Sequence, residues 1–201
     1  MVAYSLVIVG AHNGGQSADL VAQRAAQGPV LLVEPIGYLF DELAALHADN
    51  DAVHVLNAAI TEHDVDCVTF YAPRRDSTSV VPYADQLGSL NPVHATTHHP
   101  DLKDLVDGIE VPALTFTGLI ERYDISDIDL LVTDAEGYDA TLLVGFPFAK
   151  IRPRYITFEF KHSDGVFTIG RRFAALLILL EDNGYRTSVL DIENCLATRL
   201  E

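Results

Sequence analysis

A few short stretches hold the residues whose types and spacing could do chemistry. Gly10-Ala11-His12-Asn13-Gly14-Gly15 stands between an apolar, β-branched run and a helix-like one. Small residues in such a turn let the backbone come close to a ligand and leave helix-start N–H groups for its polar end, with Gln16 and Ser17 opening the helix. A tight strand-to-helix joint needs the same residues, so the turn alone decides nothing. Glu34 adds to it. A carboxylate at the end of the second apolar run, about 20 residues past the glycines, is where dinucleotide folds hold a ribose diol. His12 occupies the place of the second glycine in a strict GxGxxG, and the spacing does not separate NAD from S-adenosylmethionine. Further on, Asp134-Ala135-Glu136-Gly137 closes a very apolar run. Two carboxylates so close should part their pKa values, raising one, which suits a general base or a divalent metal. The same pair could simply be acids at a helix start. Glu159 and His162 follow another apolar run, and Asn57 ends a third.

These residues fall at the carboxyl ends of expected strands, the side on which parallel α/β sheets bind ligands. The apolar period switches repeatedly between strand-like and helix-like, which predicts an α/β, Rossmann-like doubly wound and mainly parallel sheet. Strands are expected over residues 4–9, 30–33, 53–56, 113–116, 128–133 and 155–160, with 185–190 last. Helices are expected over 17–27, 38–47, 118–123, 138–144 and 171–183. Residues 66–71 follow no helix and are expected to supply one antiparallel strand. Residues 72–108 hold Pro73, Pro82, Pro92 and Pro100 and show no period. Such an excursion reads as a lid or binding surface. It carries His94, His98 and His99; adjacent imidazoles in a polar loop lack the usual ligand spacing, so they read as solvated and no metal ligand is assigned.

Length fits one domain over residues 1–201. Carboxylates outnumber Lys plus Arg 29 to 13, giving a net charge of −16. That surface repels phosphate and argues against nucleic acid or an anionic membrane as partner. The longest apolar run, 173–180, is too short to span a bilayer. The first residues read as strand, not as a basic leader with an apolar stretch, which predicts a cytoplasmic protein. Cys67 and Cys195 lie far apart with no CxxC and are expected as buried free thiols. An acidic surface with an exposed edge strand is compatible with a homodimer.

In their order the segments resemble the FkbM-type S-adenosylmethionine-dependent methyltransferases. The first motif of that family, roughly Asp-Val-Gly-Ala-Asn-x-Gly, is matched by Ile8-Val9-Gly10-Ala11-His12-Asn13-Gly14, with Ile8 in place of the acid. Val33-Glu34-Pro35 matches its Val-Glu-Pro, and Asn57-Ala58-Ala59-Ile60 its Asn-x-Ala-Ile. Ile128 to Gly137 matches Ile-Asp-Leu-Leu-Lys-x-Asp-x-Glu-Gly without the lysine, and Ile156 to His162 matches a final strand with an acid and a histidine. The resemblance implies a class I methyltransferase fold with S-adenosyl-L-methionine as cofactor. It implies that Gly10, Ala11, His12, Asn13 and Gly14 pass under the methionine and ribose. Glu34-Pro35 would hold the ribose hydroxyls, Asn57-Ala58-Ala59 would border the adenine, and Asp134 would lie beside the transferred methyl. Asp134 or His162 would take a proton from the acceptor, a sugar or small-molecule hydroxyl, with Glu136 and Glu159 on the acceptor side. A relative that binds the cofactor without turnover, as a binding or assembly protein, is the alternative that Ile8 raises.

Overall fold

The computed structural model describes residues 1–165 and 168–201. Strand β1 (Val2–Val9) pairs in parallel with β2 (Val30–Val33), and β2 with β3 (Val53–Leu56). Helices α1 (Ala18–Ala25) and α2 (Gly37–Leu46) make the two crossovers. The chain then leaves this sheet. Strands β4 (Ala59–Ile60), β5 (Cys67–Pro73) and β6 (Val106–Leu114) form a second sheet in the order β4-β6-β5, with β5 antiparallel to β6. Between β5 and β6 lie the short helix α3 (His94–His98) and 3-10 turns at Arg75–Ser79, Ala84–Gln86 and Pro100–Leu102.

Helix α4 (Phe116–Arg122), begun by Thr115 accepting the Gly118 N–H at 3.1 Å, returns the chain to the first sheet. There β7 (Ile125–Thr133) lies beside β1, followed by α5 (Asp139–Val144), β8 (Tyr155–Glu159), α6 (Arg171–Asp182), β9 (Tyr185–Val189) and β10 (Asn194–Arg199). The seven-stranded order is β3-β2-β1-β7-β8-β10-β9, and β10 runs antiparallel to both neighbours.

Alternation along β1 explains why it is apolar throughout. Val7 and Val9 enter one core with Leu31, Val33, Leu119, Leu131, Leu143 and Phe158. Leu6 and Ile8 enter the other with Val21, Val30, Leu32 and Leu43. A central parallel strand covered by helices on both faces needs this pattern.

The sheet is doubly wound and mainly parallel, as expected, but its antiparallel member is β10. Residues 66–71 do pair antiparallel, in the second sheet. The strand expected at 113–116 is the tail of a longer β6, whose start was hidden by Gly108 and Pro112. Segment 72–108 is more ordered than its prolines suggested. Cys195 is buried, whereas Cys67 is exposed, because it begins β5 on that strand's open side. Among the described residues no helix is long and apolar enough to cross a membrane.

Candidate active site

Strand order reverses between β1 and β7, so their carboxyl ends open a crevice. The two ends are in contact. The Asp134 N–H donates to the Val9 carbonyl at 3.0 Å, and a Cβ on Gly10 would stand 1.9 Å from the Asp134 carbonyl oxygen. Gly10 also has φ +84°, so glycine is required there twice over. After it, His12 adopts φ +52° and turns its N–H onto Glu34 Oε2 at 2.8 Å. The Ile36 N–H donates to the other oxygen, Oε1, at 2.8 Å. Glu34 is 4% exposed, and burial pushes its carboxyl up to about 7 against the opposing pull of those two N–H groups. Each oxygen keeps acceptor capacity beyond its one backbone bond, which is what a ribose diol needs.

A cavity of about 300 Å³ opens above this crevice, at the small end of the range for small-molecule sites. Its lining includes Gly10, Ala11, His12, Gln16, Ser17, Glu34, Pro35, Ala58, Ala59 and Asp134. Three of the residues expected at the cofactor do not line it. Asn57 Nδ2 donates to the carbonyls of Glu34 (2.9 Å) and Pro35 (3.0 Å), holding the β2 turn from behind. Gly14, at φ +80°, gives room to α2, since a Cβ there would meet Leu43 Cδ1 at 2.6 Å. Asn13 Oδ1 accepts from the Gly15 N–H at 3.2 Å, closing the turn on itself.

Strand β7 ends at Thr133, so Asp134 and Glu136 do not alternate along a strand. Glu136 sits at φ +48°, a conformation few residues with a Cβ adopt. Asp139, buried beneath, takes the Ala135 N–H on both oxygens (3.2 and 3.1 Å) and fixes the bend. Burial, with the charges of Asp134 and Glu159, raises the Asp139 carboxyl well above its ordinary value. The Asp134 side chain is accessible through the cavity while protein encloses it on the other sides. Partial desolvation, then the charges of Glu136 and Glu159, push it up to about 7. Glu136 is raised to about 7 as well, by burial and then Glu159. Both carboxyls therefore rise, where the sequence had suggested one.

Glu159 and His162 do not line this cavity. His162 Nδ1 lies 3.0 Å from Glu159 Oε2, and Lys161 Nζ is 3.0 Å from Glu159 Oε1. Burial works to raise Glu159, but His162 and Lys161 outweigh it and the carboxyl lies below its ordinary value. His162 opens instead onto a neighbouring polar cavity shared with His94 and His98. Glu136 joins the two, lining the first and accepting His94 Nε2 at 2.9 Å.

Residues 9–187 match the methyltransferase FkbM domain family. The chain belongs to it. The family is one of S-adenosylmethionine-dependent methyltransferases, which gives S-adenosyl-L-methionine as the cofactor. No curated protein matches the chain in sequence. Among solved structures, the fibrillarin pre-rRNA processing protein of Methanococcus jannaschii superposes with a TM-score of 0.51 at 13% identity, over 98% of this chain and 66% of that one. The precorrin-6y C5,15-methyltransferase of Geobacter metallireducens gives 0.50 at 10% identity, over 100% and 82%. At these identities the likeness is one of fold, the class I methyltransferase type. This FkbM chain spans about two thirds of the fibrillarin chain's length.

Sequence reasoning missed the residues that 72–108 contributes. Asp85, Gln86, Gly88 and Leu90 wall the first cavity, and His94 and His98 reach the second one. No motif marks them; the reading of that segment as a binding surface was the available signal.

Proposed function

We propose that this FkbM methyltransferase methylates a hydroxyl oxygen of a sugar or similar small polar acceptor, with Asp134 as the base. The observation that carries the reading is the placing of Asp134. Its carboxylate opens onto the same cavity as Gly10 and Glu34, and its pKa lies near neutrality, where a general base works best.

Glu34 would accept the ribose hydroxyls, and the apolar wall of Ile36, Ala59 and Phe70 would take the adenine. When bound, the cofactor supplies a sulfonium methyl whose C–S bond breaks as the acceptor's O–C bond forms. Asp134 takes the hydroxyl proton as that oxygen becomes the ether. Glu136, across the bend, would hold a neighbouring hydroxyl. His162, turned onto Glu159, acts on this acceptor only through Glu136, whose Oε2 lies 3.8 Å from His162 Nδ1. Asp85, Gln86 and Leu90 would shield the reacting atoms from water and set acceptor shape. Acceptors of this kind fit a cytoplasmic protein of net charge −16 that binds neither nucleic acid nor membrane, with a homodimer open through the edge strands.

A second reading rests on Ile8. It stands where the family motif has an acid and is 4% exposed in the apolar cluster of Leu6 and Leu32. A chain without that acid could hold the cofactor and transfer nothing. Calorimetry with S-adenosylhomocysteine, followed by methyl transfer to a panel of glycosides and polyols, separates the two. Absence of binding at millimolar ligand overturns both; binding without transfer to any hydroxyl favours the second.

A further inference from the structure

The excursion brings two histidines of α3 to the carboxyl end of β8. His94 and His98 are four residues apart on one helix face, and their ring centroids are 4.6 Å from each other. The His162 ring lies 5.1 Å from that of His94 and 4.2 Å from that of His98. One nitrogen of each ring lies within 4.8 Å of the others. The three rings border a polar cavity with Asn91, Thr97 and Gly137.

Carboxylates stand behind two of the rings. Glu136 Oε2 takes His94 Nε2 at 2.9 Å, and Glu159 Oε2 takes His162 Nδ1 at 3.0 Å. The His94 nitrogen bound to a carboxylate carries the proton, which leaves its other nitrogen with the lone pair a metal accepts. For His94 that nitrogen is Nδ1, and it looks over Gly137, 3.4 Å from where a Cβ there would stand. Gly137 at φ +82° carries no side chain to fill that space. The i, i+4 pair of histidines on a helix, a third imidazole from elsewhere and carboxylates behind the rings are the parts of a three-histidine metal centre with one open position.

We infer that His94, His98 and His162 bind one divalent transition-metal ion of the Zn²⁺, Co²⁺ or Ni²⁺ class, with Glu136 and Glu159 orienting the outer two imidazoles. Three nitrogen donors exclude Mg²⁺ and Ca²⁺, which take oxygen. Binding draws the nitrogens together, since metal–nitrogen bonds are ~2.0–2.1 Å. The open position faces the polar cavity. This inference does not depend on which acceptor is methylated.

The test uses the full chain carrying Cys67→Ser, which removes the exposed thiol, stripped with a chelator and dialysed. Co²⁺ and Zn²⁺ are titrated by calorimetry, and Co²⁺ by visible absorption. One equivalent should bind with the intense bands of four-coordinate Co²⁺. His98→Ala should abolish those bands and weaken binding more than ~10-fold, and Glu159→Gln should weaken it ~10–100-fold. His99→Ala, whose ring lies against Tyr83 Oη, should bind as the parent does. Failure of the parent to bind saturably overturns the inference without any variant. Parent-like binding by His98→Ala, or an equal loss in His99→Ala, overturns it too. S-adenosylhomocysteine affinity, measured on the same metal-free samples, reports folding and tests the cofactor site separately.

Discussion

Gly10→Ala probes the contact on which the crevice depends. The new Cβ would lie 1.9 Å from the Asp134 carbonyl oxygen, a backbone atom that cannot swing aside. The ends of β1 and β7 must therefore separate, breaking the 3.0 Å bond between the Asp134 N–H and the Val9 carbonyl. A left-handed residue with a Cβ costs ~1–2 kcal/mol, forced overpacking ~1–3 kcal/mol, and the lost hydrogen bond ~1 kcal/mol. The sum is ~3–6 kcal/mol, a large share of a domain's usual stability. Urea unfolding followed by circular dichroism measures it, as a lower midpoint at unchanged slope. Gly37→Ala is the control, because nothing lies within 4 Å of a Cβ there and the residue begins α2. It should be neutral or gain up to ~1 kcal/mol. The reasoning is refuted if Gly10→Ala loses less than ~1 kcal/mol, or if the two variants cannot be told apart.

Further expectations concern the carboxylates and the wall. Glu34→Ala should weaken S-adenosylhomocysteine binding by ~3–6 kcal/mol in calorimetry, from two hydroxyl bonds to a charged acceptor. Parent affinity should rise with pH through about 7, where Glu34 ionises. Because its folded-state value lies above the ordinary 4.5, its contribution to stability is complete below 4.5 and lost as pH climbs through about 7. Unfolding measured from pH 5 to 8 should therefore show a falling slope that Glu34→Ala flattens. Asp134→Asn should cut kcat ~10²–10⁴-fold with cofactor affinity unchanged. The parent's rate should rise through about pH 7 as the base loses its proton, and the variant should lack that limb. Ser89→Ala removes the 3.0 Å bond to the Glu136 carbonyl and unpairs the Asn91 N–H, costing ~1–3 kcal/mol. Its acceptor KM should rise while cofactor affinity holds.

Strands β2 and β3 can be read to the residue because both are short apolar runs bounded by glycine, proline or polar residues. Glu34 and Asp134 follow from strand ends alone. What escaped had a physical cause in each case. Strand β10 buries only Cys195 and Ala197, and its apolar run, Cys195-Leu196-Ala197, is too short to mark a strand. Helix α3, His-Ala-Thr-Thr-His, buries His94 and Ala95, and a helix whose inner face is imidazole has no apolar period. That is why its histidines looked solvated: their i, i+4 spacing means something only once the segment is known to be helical. His98 is instead desolvated between two other rings, and burial with those neighbours pushes its imidazole down to about 4. Asn57 and Gly14 mislead in the opposite way. Each sits in a motif, yet one clamps a turn from behind and the other makes room for a helix.

The bend at 134–137 connects these observations. A plain continuation of β7 would send Asp134 and Glu136 to the same side and leave the excursion without a seat. Asp139, grasping the Ala135 N–H from below, together with the left-handed Glu136 and Gly137, turns the chain so that the two carboxylates part. Asp134 stays in the first cavity, with Gly10 and Glu34. Glu136 turns toward the excursion, which docks on it twice, through Ser89 Oγ to its carbonyl and His94 Nε2 to its carboxylate. The wall that would shape the acceptor is thus anchored one residue beyond Ala135, beside the proposed base, Asp134. His94 in the second cavity thus holds the carboxylate whose charge helps raise Asp134 in the first.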